Sequence, residues 1–303
     1  PYVEEGSEIT KVFLRKSCHW KLTNSTTMTF AAKVGTLKKY ESILRKYTST
    51  THPDDFKMWV ELRKQEASLI TQPELTDNLV EQLKRDITFN QHELMVVDNG
   101  SNKPLATSTT HKLPENLFFG GGLNVVLDYF LSSDHDHFVL FNNDLIFHGP
   151  RLIENMLKEI KENDMDLYSP SITNSGFGQC HWRQMWNWGT STVRKVNFID
   201  FMCPIFSKKI AKKIKSFPNE LFLGWGPDFY TGIIAEENNL NIGVSDNITL
   251  THLVGQTFKS EAIEIKESDF CQQADANMHN YFLNSPLKDK FLTLREQNSN
   301  YKI

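Results

Sequence analysis

What most constrains this chain is a repeated alternation in which short apolar runs are each followed by a stretch whose apolar residues return at helical spacing. MTFAAKV (28–34) reads as a strand, and Leu37, Tyr40, Leu44 and Tyr47 then recur as one helix face. Two helical stretches at 54–70 and 74–89 follow, the second carrying Leu75, Leu79, Leu83 and Ile87 on one side, before a strand at ELMVV (93–97). A helix at 122–132, the strand HFVLF (137–141), a helix at 150–162 bearing Leu152, Met156 and Ile160, and a short strand near 165–169 continue the pattern. VNFIDF (196–201) reads as a further strand, ahead of a lysine-rich helix near 207–215, a helix after Pro227 and a polar, helical last forty residues. Parallel strands need crossover connections, and helices are the usual ones. The expected fold is therefore α/β, with a mostly parallel central sheet flanked by helices.

The chain is long enough for that fold as one large domain, and 39% hydrophobic residues can fill its core. No internal repeat, low-complexity tract or linker divides it. One continuous domain is therefore the simplest reading. Lysine and arginine number 33 against 37 acidic residues, a formal charge of −4. With no long basic run, nucleic acid is not the default partner. Cys18, Cys180, Cys203 and Cys271 are scattered and form no CxxC pair, so buried, reduced thiols are expected rather than a zinc knuckle. No stretch approaches the ~18–20 apolar residues that span a bilayer, so a cytoplasmic protein, or one peripheral to a membrane, is expected. Sequons at Asn24, Asn99 and Asn247 carry little weight, because such triplets arise by chance.

In an open α/β sheet, ligands bind beyond the carboxyl ends of the strands, and four such places are unusual here. ELMVV runs into Asp98, Asn99, Gly100 and Ser101, a turn whose carboxylate can accept hydrogen bonds from a base or ribose. Gly120, Gly121 and Gly122 precede an apolar helical stretch, where backbone amides at a helix start can approach a ligand. HFVLF leads into Asn142, Asn143 and Asp144, and a carboxylate at the end of a buried strand is offset either by a divalent cation or by capping the next helix. Asp228 follows the turn Gly224-Trp225-Gly226-Pro227 in the first turn of a helix, and His252 ends the apolar segment Thr249-Leu250-Thr251. Read singly, each also has a plain structural explanation as a turn, cap or hydrogen-bonded core residue.

In this order and spacing the segments resemble the inverting family 2 glycosyltransferases of the GT-A fold, of the rhamnosyl- and galactofuranosyl-transferase type. The match comprises a VDNGS turn (Val97–Ser101), an N-x-GFGGG-x-N-like loop (Asn116, Phe119, Gly120, Gly121, Gly122, Asn124) and an NND after a hydrophobic strand (Asn142, Asn143, Asp144). Downstream, Trp225, Asp228, Gly232 and His252 fit the family's acidic turn-and-helix and its later histidine. The resemblance spans roughly 26–255, which implies a Rossmann-like GT-A catalytic domain there, with a helical insertion at 54–89, between an N-terminal extension (1–25) and a C-terminal helical tail (256–303). It departs from the family at Phe118 for Gly, at Pro227 for an acidic residue and at Asn142 for the first Asp of D-x-D.

The resemblance implies transfer of a sugar from a nucleotide-diphosphate sugar, a UDP-sugar first, to a hydroxyl on a glycan, glycolipid or other acceptor. A divalent metal, Mn²⁺ in preference to Mg²⁺ because imidazole is a ligand, would be held by Asp144 and His252. Asp228 would be the general base of an inverting displacement. Asp98, Asn99, Gly120, Gly121, Gly122, Asn124 and Asn143 would bind the donor. The tryptophan-rich segment supplies candidate acceptor contacts in Trp182, Arg183, Trp186 and Trp188, with Trp225 beside the base, although aromatic core packing explains such residues equally well. A nucleotidyltransferase, or a non-catalytic carbohydrate-binding protein on a degenerate GT-A fold, would share much of this pattern.

Overall fold

The structure, a computed structural model, describes residues 72–101, 105–174, 179–253 and 267–298, together with the backbone of two short strands. Those strands, β1 (His19–Lys21) and β2 (Thr27–Thr29), pair antiparallel. The rest of the expected strand at 28–34 and the helices expected at 37–47 and 54–70 lie outside the described residues.

Helix α1 (Gln72–Leu83) buries Leu75, Leu79 and Leu83, the stripe read from the sequence, but it stops short of the expected 89. Ile87 lies past its end and is 54% exposed. Beyond it, Asp86 accepts the amide of Ile153 at 2.9 Å, and its other oxygen takes both the amide and hydroxyl of Thr88. This carboxylate fixes where α3 (Leu152–Asn163) begins.

Of ELMVV only the end enters a ladder, as β3 (Val97–Asp98) beside β4 (His111–Lys112) in a separate parallel pair. The central sheet has six strands: β5 (His137–Val139), β6 (Leu145–Ile146), β7 (Leu167–Asn174), β8 (Val193–Lys195), β9 (Ile205–Ser207) and β10 (Ile242–His252). Helices flank this sheet, as expected. Its strands are mixed in direction, which corrects the mostly parallel reading: β7 and β10 run parallel, while the pairs β5/β9, β7/β9, β6/β10 and β8/β10 are antiparallel. The antiparallel members are two- or three-residue strands, too short to carry a periodicity of their own. VNFIDF is likewise not a strand. The ladder is made by the preceding Val193–Lys195, while Phe198 and Ile199 are buried from an irregular segment.

Helix α2 spans Phe118–Ser132 and so contains the glycine triplet, which the sequence reading placed in a loop before a helix at 122–132. Helices α4 (Lys208–Ile214) and α5 (Pro227–Glu237) follow, and α6 (Glu267–Leu283) and α7 (Lys288–Asn298) end the described chain. The main core lies about the sheet, with Met156, Leu167, Ile172, Phe206 and Leu250. A second core joins α5 to the last two helices through Phe198, Phe229, Ile233, Phe282 and Phe291. The C-terminal helices are therefore packed against the α5 face rather than free.

Candidate active site

The end of β10 gathers the candidate residues. His252 lies between Asn174 of β7 and Leu145 of β6, and the amide of Leu253 donates to the carbonyl of Asp144 at 2.9 Å. That pairing brings His252 Nε2 to 3.1 Å from Asp144 Oδ2, with Asp144 buried. Burial works against charge on the imidazole, but the Asp144 hydrogen bond and the negative charges of Asp144 and Asp200 outweigh it and raise its pKa.

Asp200 is the residue that sequence reasoning missed. The antiparallel register of 137–139 with 205–207 continues through Leu140 N–H to Pro204 C=O (3.0 Å) and Asn142 N–H to Met202 C=O (3.2 Å). Asp200 lies two residues before Met202, and its charge acts on His252. Burial raises the Asp200 carboxyl, partly offset by the positive charge of His252. The available signal was chemical: an acid within the apolar run VNFIDF is a charge whose desolvation something must offset.

Asp228 comes from the opposite side, at the second position of α5. Gly226, at φ +105°, turns the chain into the helix, and Pro227 starts it. The Asp228 carboxylate accepts the Phe229 amide at 2.8 Å. Gly232, one turn later on the same face, lets α5 rest on the 197–198 backbone: a Cβ there would sit 2.8 Å from Asn197 O and from Phe198 Cβ. Asp200 is two residues beyond this contact, and its charge acts on Asp228. Burial first, and the Asp200 charge second, push the Asp228 carboxyl up to about 7, against the lowering effect of amides at the helix start.

The remaining predicted residues divide by what already occupies them. Asp98 accepts the Ser101 amide at 2.8 Å and closes the turn. Asn99 bridges to the start of α2, accepting from Leu117 N–H at 3.0 Å and donating to Phe118 C=O at 2.8 Å. The Gly120 amide donates to Phe222 C=O at 2.8 Å, and a Cβ at Gly120 would lie 2.6 Å from Leu221 O. The triplet thus serves helix-to-loop packing, and the expectation of unpaired amides there is corrected at Gly120. Gly121 is held against Leu117, and Gly122 faces the Asn99 side chain. Asn124 makes a two-way pair with the backbone of Phe217, at 2.7 and 3.0 Å. Asn143 donates to Thr76 Oγ1 at 3.1 Å.

Among the aromatics, Trp182 packs edge-on to Phe198 and Phe229. The Trp186 indole N–H donates to Cys180 C=O at 2.8 Å, and its ring joins the margin of the main core. Both are partly buried and pack against the core. Trp188 is 51% exposed and Trp225 40%. Arg183 is exposed beside Trp188.

A cation can be tested against this geometry. An octahedral Mn²⁺ or Mg²⁺ holds ligands at about 2.1 Å, which sets neighbouring ligand atoms about 3 Å apart, and the His252–Asp144 pair meets that spacing at 3.1 Å. No cluster of three or more His, Cys, Asp or Glu suited to a metal occurs among the described residues. His252 Nδ1, buried, has no hydrogen-bond partner among them either. The pair fits two adjacent ligand positions, so a bound ion would take the rest of its shell from donor and water.

No family model matches the chain, and no curated protein matches it. Solved structures do. TarS residues 1–349 of S. aureus, in complex with UDP-GlcNAc, is 15% identical over 75% of this chain and 70% of that chain, with a TM-score of 0.50. The same TarS fragment with UDP is 15% identical over 72% and 71%, with a TM-score of 0.44. The first likeness establishes a GT-A-type fold. No helix among the described residues is long and apolar enough to cross a membrane.

Proposed function

We propose that the chain is an inverting glycosyltransferase that moves a sugar from a nucleotide-diphosphate sugar to an acceptor hydroxyl, with Asp228 as general base. Most support comes from the 3.1 Å Asp144–His252 pair at the end of β10, together with Asp200, whose charge acts both on His252 and on Asp228, the latter with its carboxyl pushed up to about 7. A base titrating near working pH combines useful ionisation with useful proton affinity. The fold, shared with a protein solved with UDP-GlcNAc, supports a nucleotide-sugar donor, a UDP-sugar first.

In this mechanism the acceptor oxygen attacks the anomeric carbon as its proton passes to Asp228. The bond from that carbon to the diphosphate breaks on the opposite face, giving inversion and free nucleoside diphosphate. Asp144 and His252 would hold a divalent cation, Mn²⁺ by preference for imidazole, whose positive charge balances the leaving diphosphate. Asp144 hydrogen-bonds the imidazole, and the negative charges of Asp144 and Asp200 both act on it. Asp98 and Asn99 shape the turn beside which the donor would lie.

A thermal-shift panel of nucleotide sugars with and without Mn²⁺ tests the donor. Metal-dependent stabilisation by one nucleotide is expected, and no response to any would overturn the reading. Asp228→Asn should lower transfer by about 10²- to 10⁴-fold while leaving donor-induced stabilisation intact; undiminished transfer would remove Asp228 from the role. Release of nucleoside diphosphate rather than pyrophosphate separates sugar transfer from nucleotidyl transfer.

A further inference from the structure

Beyond the reaction centre, the loop from Arg183 to Arg194 exposes a large apolar ring on a rigid mount. The Trp188 indole N–H donates to Arg183 C=O at 3.1 Å, so the polar edge of the ring is already satisfied while the residue stays 51% exposed. The guanidinium of Arg194 stacks on the ring at 4.4 Å from its centre. Arg194 is itself fixed by a 3.0 Å ion pair with the buried Asp246 and by the carbonyls of Gln184 and Trp186. Asp246 also takes the amide and hydroxyl of Thr190, and its carbonyl accepts from Asn187. It stands where the β10 register shifts between Ser245 and Thr249. A buried carboxylate, a buried guanidinium and a strand irregularity therefore converge on holding one half-exposed indole. None of this is needed to bury the ring. The loop is tied to the base as well, since Trp182 at its start contacts Phe229, the residue after Asp228, with ring centres 5.6 Å apart.

We infer that Trp188 is the platform of an acceptor subsite and that its ligand is a saccharide, one ring of which stacks its C–H face on the indole. This rests on the glycosyltransferase reading and narrows its acceptor from any hydroxyl compound to a glycan. A flat, apolar and pre-ordered surface suits the axial C–H face of a sugar ring, and little entropy is lost when it binds. The exposed guanidinium of Arg183 lies over the ring, 5.5 Å from its centre, and is the group an arriving sugar would meet there, with donors for ring hydroxyls or an acidic substituent. The donor's base is the competing occupant. The Trp182–Phe229 contact favours the acceptor, because it joins the residue that precedes the loop to the one that follows Asp228.

The test uses the full chain on a glycan array carrying neutral and uronic-acid oligosaccharides. Trp188→Ala and Trp188→Phe are compared with wild type, and hydrolysis of the nucleotide sugar by water is measured in parallel. Retention of a set of glycans by wild type, loss of at least about tenfold in affinity in Trp188→Ala, retention by Trp188→Phe and unchanged donor hydrolysis are the expected results. Equal retention by wild type and Trp188→Ala, or no glycan retained by wild type, overturns the saccharide subsite. A parallel fall in donor hydrolysis in Trp188→Ala reassigns the ring to the donor. Absence of donor hydrolysis in wild type strikes the glycosyltransferase reading instead, independently of glycan binding.

Discussion

At the scale of single residues, the chemistry turns on two acids that share one region of low solvation. Because burial and Asp200 raise the Asp228 carboxyl from its ordinary 3.8 to about 7, its protonated form is the one the fold favours. The linkage has a definite sign: the folded state loses stability as pH rises from the unfolded carboxyl's range through about 7. Asp228→Asn should therefore raise Tm at pH 8 by more than at pH 5, which paired thermal melts would check; an equal change at both would remove the coupling. Activity has the opposite dependence, because the base must be ionised, so transfer should fall as pH drops below about 7. Asp200→Asn removes the neighbouring negative charge and should move that acidic limb to lower pH in a kcat/KM profile. Asp144, Asp228 and His252 were legible because each follows a recognisable turn or strand in a specific order. Asp200 was not, since its importance arises from a register with residues near 142 that no local pattern reports. Asn124 misled in the converse way: it neighbours the glycines in sequence, while its side chain is spent on the Phe217 backbone.

At the scale of elements, two glycines inside helices show why periodicity reads the existence of a helix better than its edges. Glycine in a helix interior costs about 1 kcal/mol relative to alanine, so a triplet reads as a break. Here Gly120 and Gly121 sit where Leu221 O and the Leu117 side chain leave no room for a Cβ, and α2 runs through them. Gly232 performs the same service for α5. Gly232→Ala should gain helix propensity yet clash with Asn197 and Phe198, for a net loss of about 1–3 kcal/mol in urea melts. Because the displaced face also carries Asp228, transfer should fall more steeply than folded fraction; parallel losses would indicate that the contact supports only stability. Strand direction was the other element-level limit, since apolar runs identify strands but not their partners. β6, β8 and β9 owe their place to loops that return antiparallel to β5, β7 and β10.

At the scale of the molecule, the helix-flanked sheet was visible in the alternation, whereas the second core was not. The last forty residues read as polar because α6 and α7 each bury only a narrow stripe, with Ala274, Met278, Phe282, Phe291 and Leu294 inside. Phe282 and Phe291 stack with centres 4.3 Å apart, and Phe291 also meets Phe229 edge-on. Phe291→Ala should cost about 3–5 kcal/mol, read as a lowered Tm, and should loosen the residue next to the base. A stable variant with unchanged Tm would show that these helices are only lightly held. Their position has a further consequence for biosynthesis. The sheet and the Asp144–His252 pair are complete once β10 has left the ribosome, but the outer face of α5 stays uncovered until α6 and α7 have been made. A growing chain would thus bring Asp144 and His252 together before α5 is fixed, so on the function proposed above newly made protein would take up its donor before it could transfer the sugar efficiently.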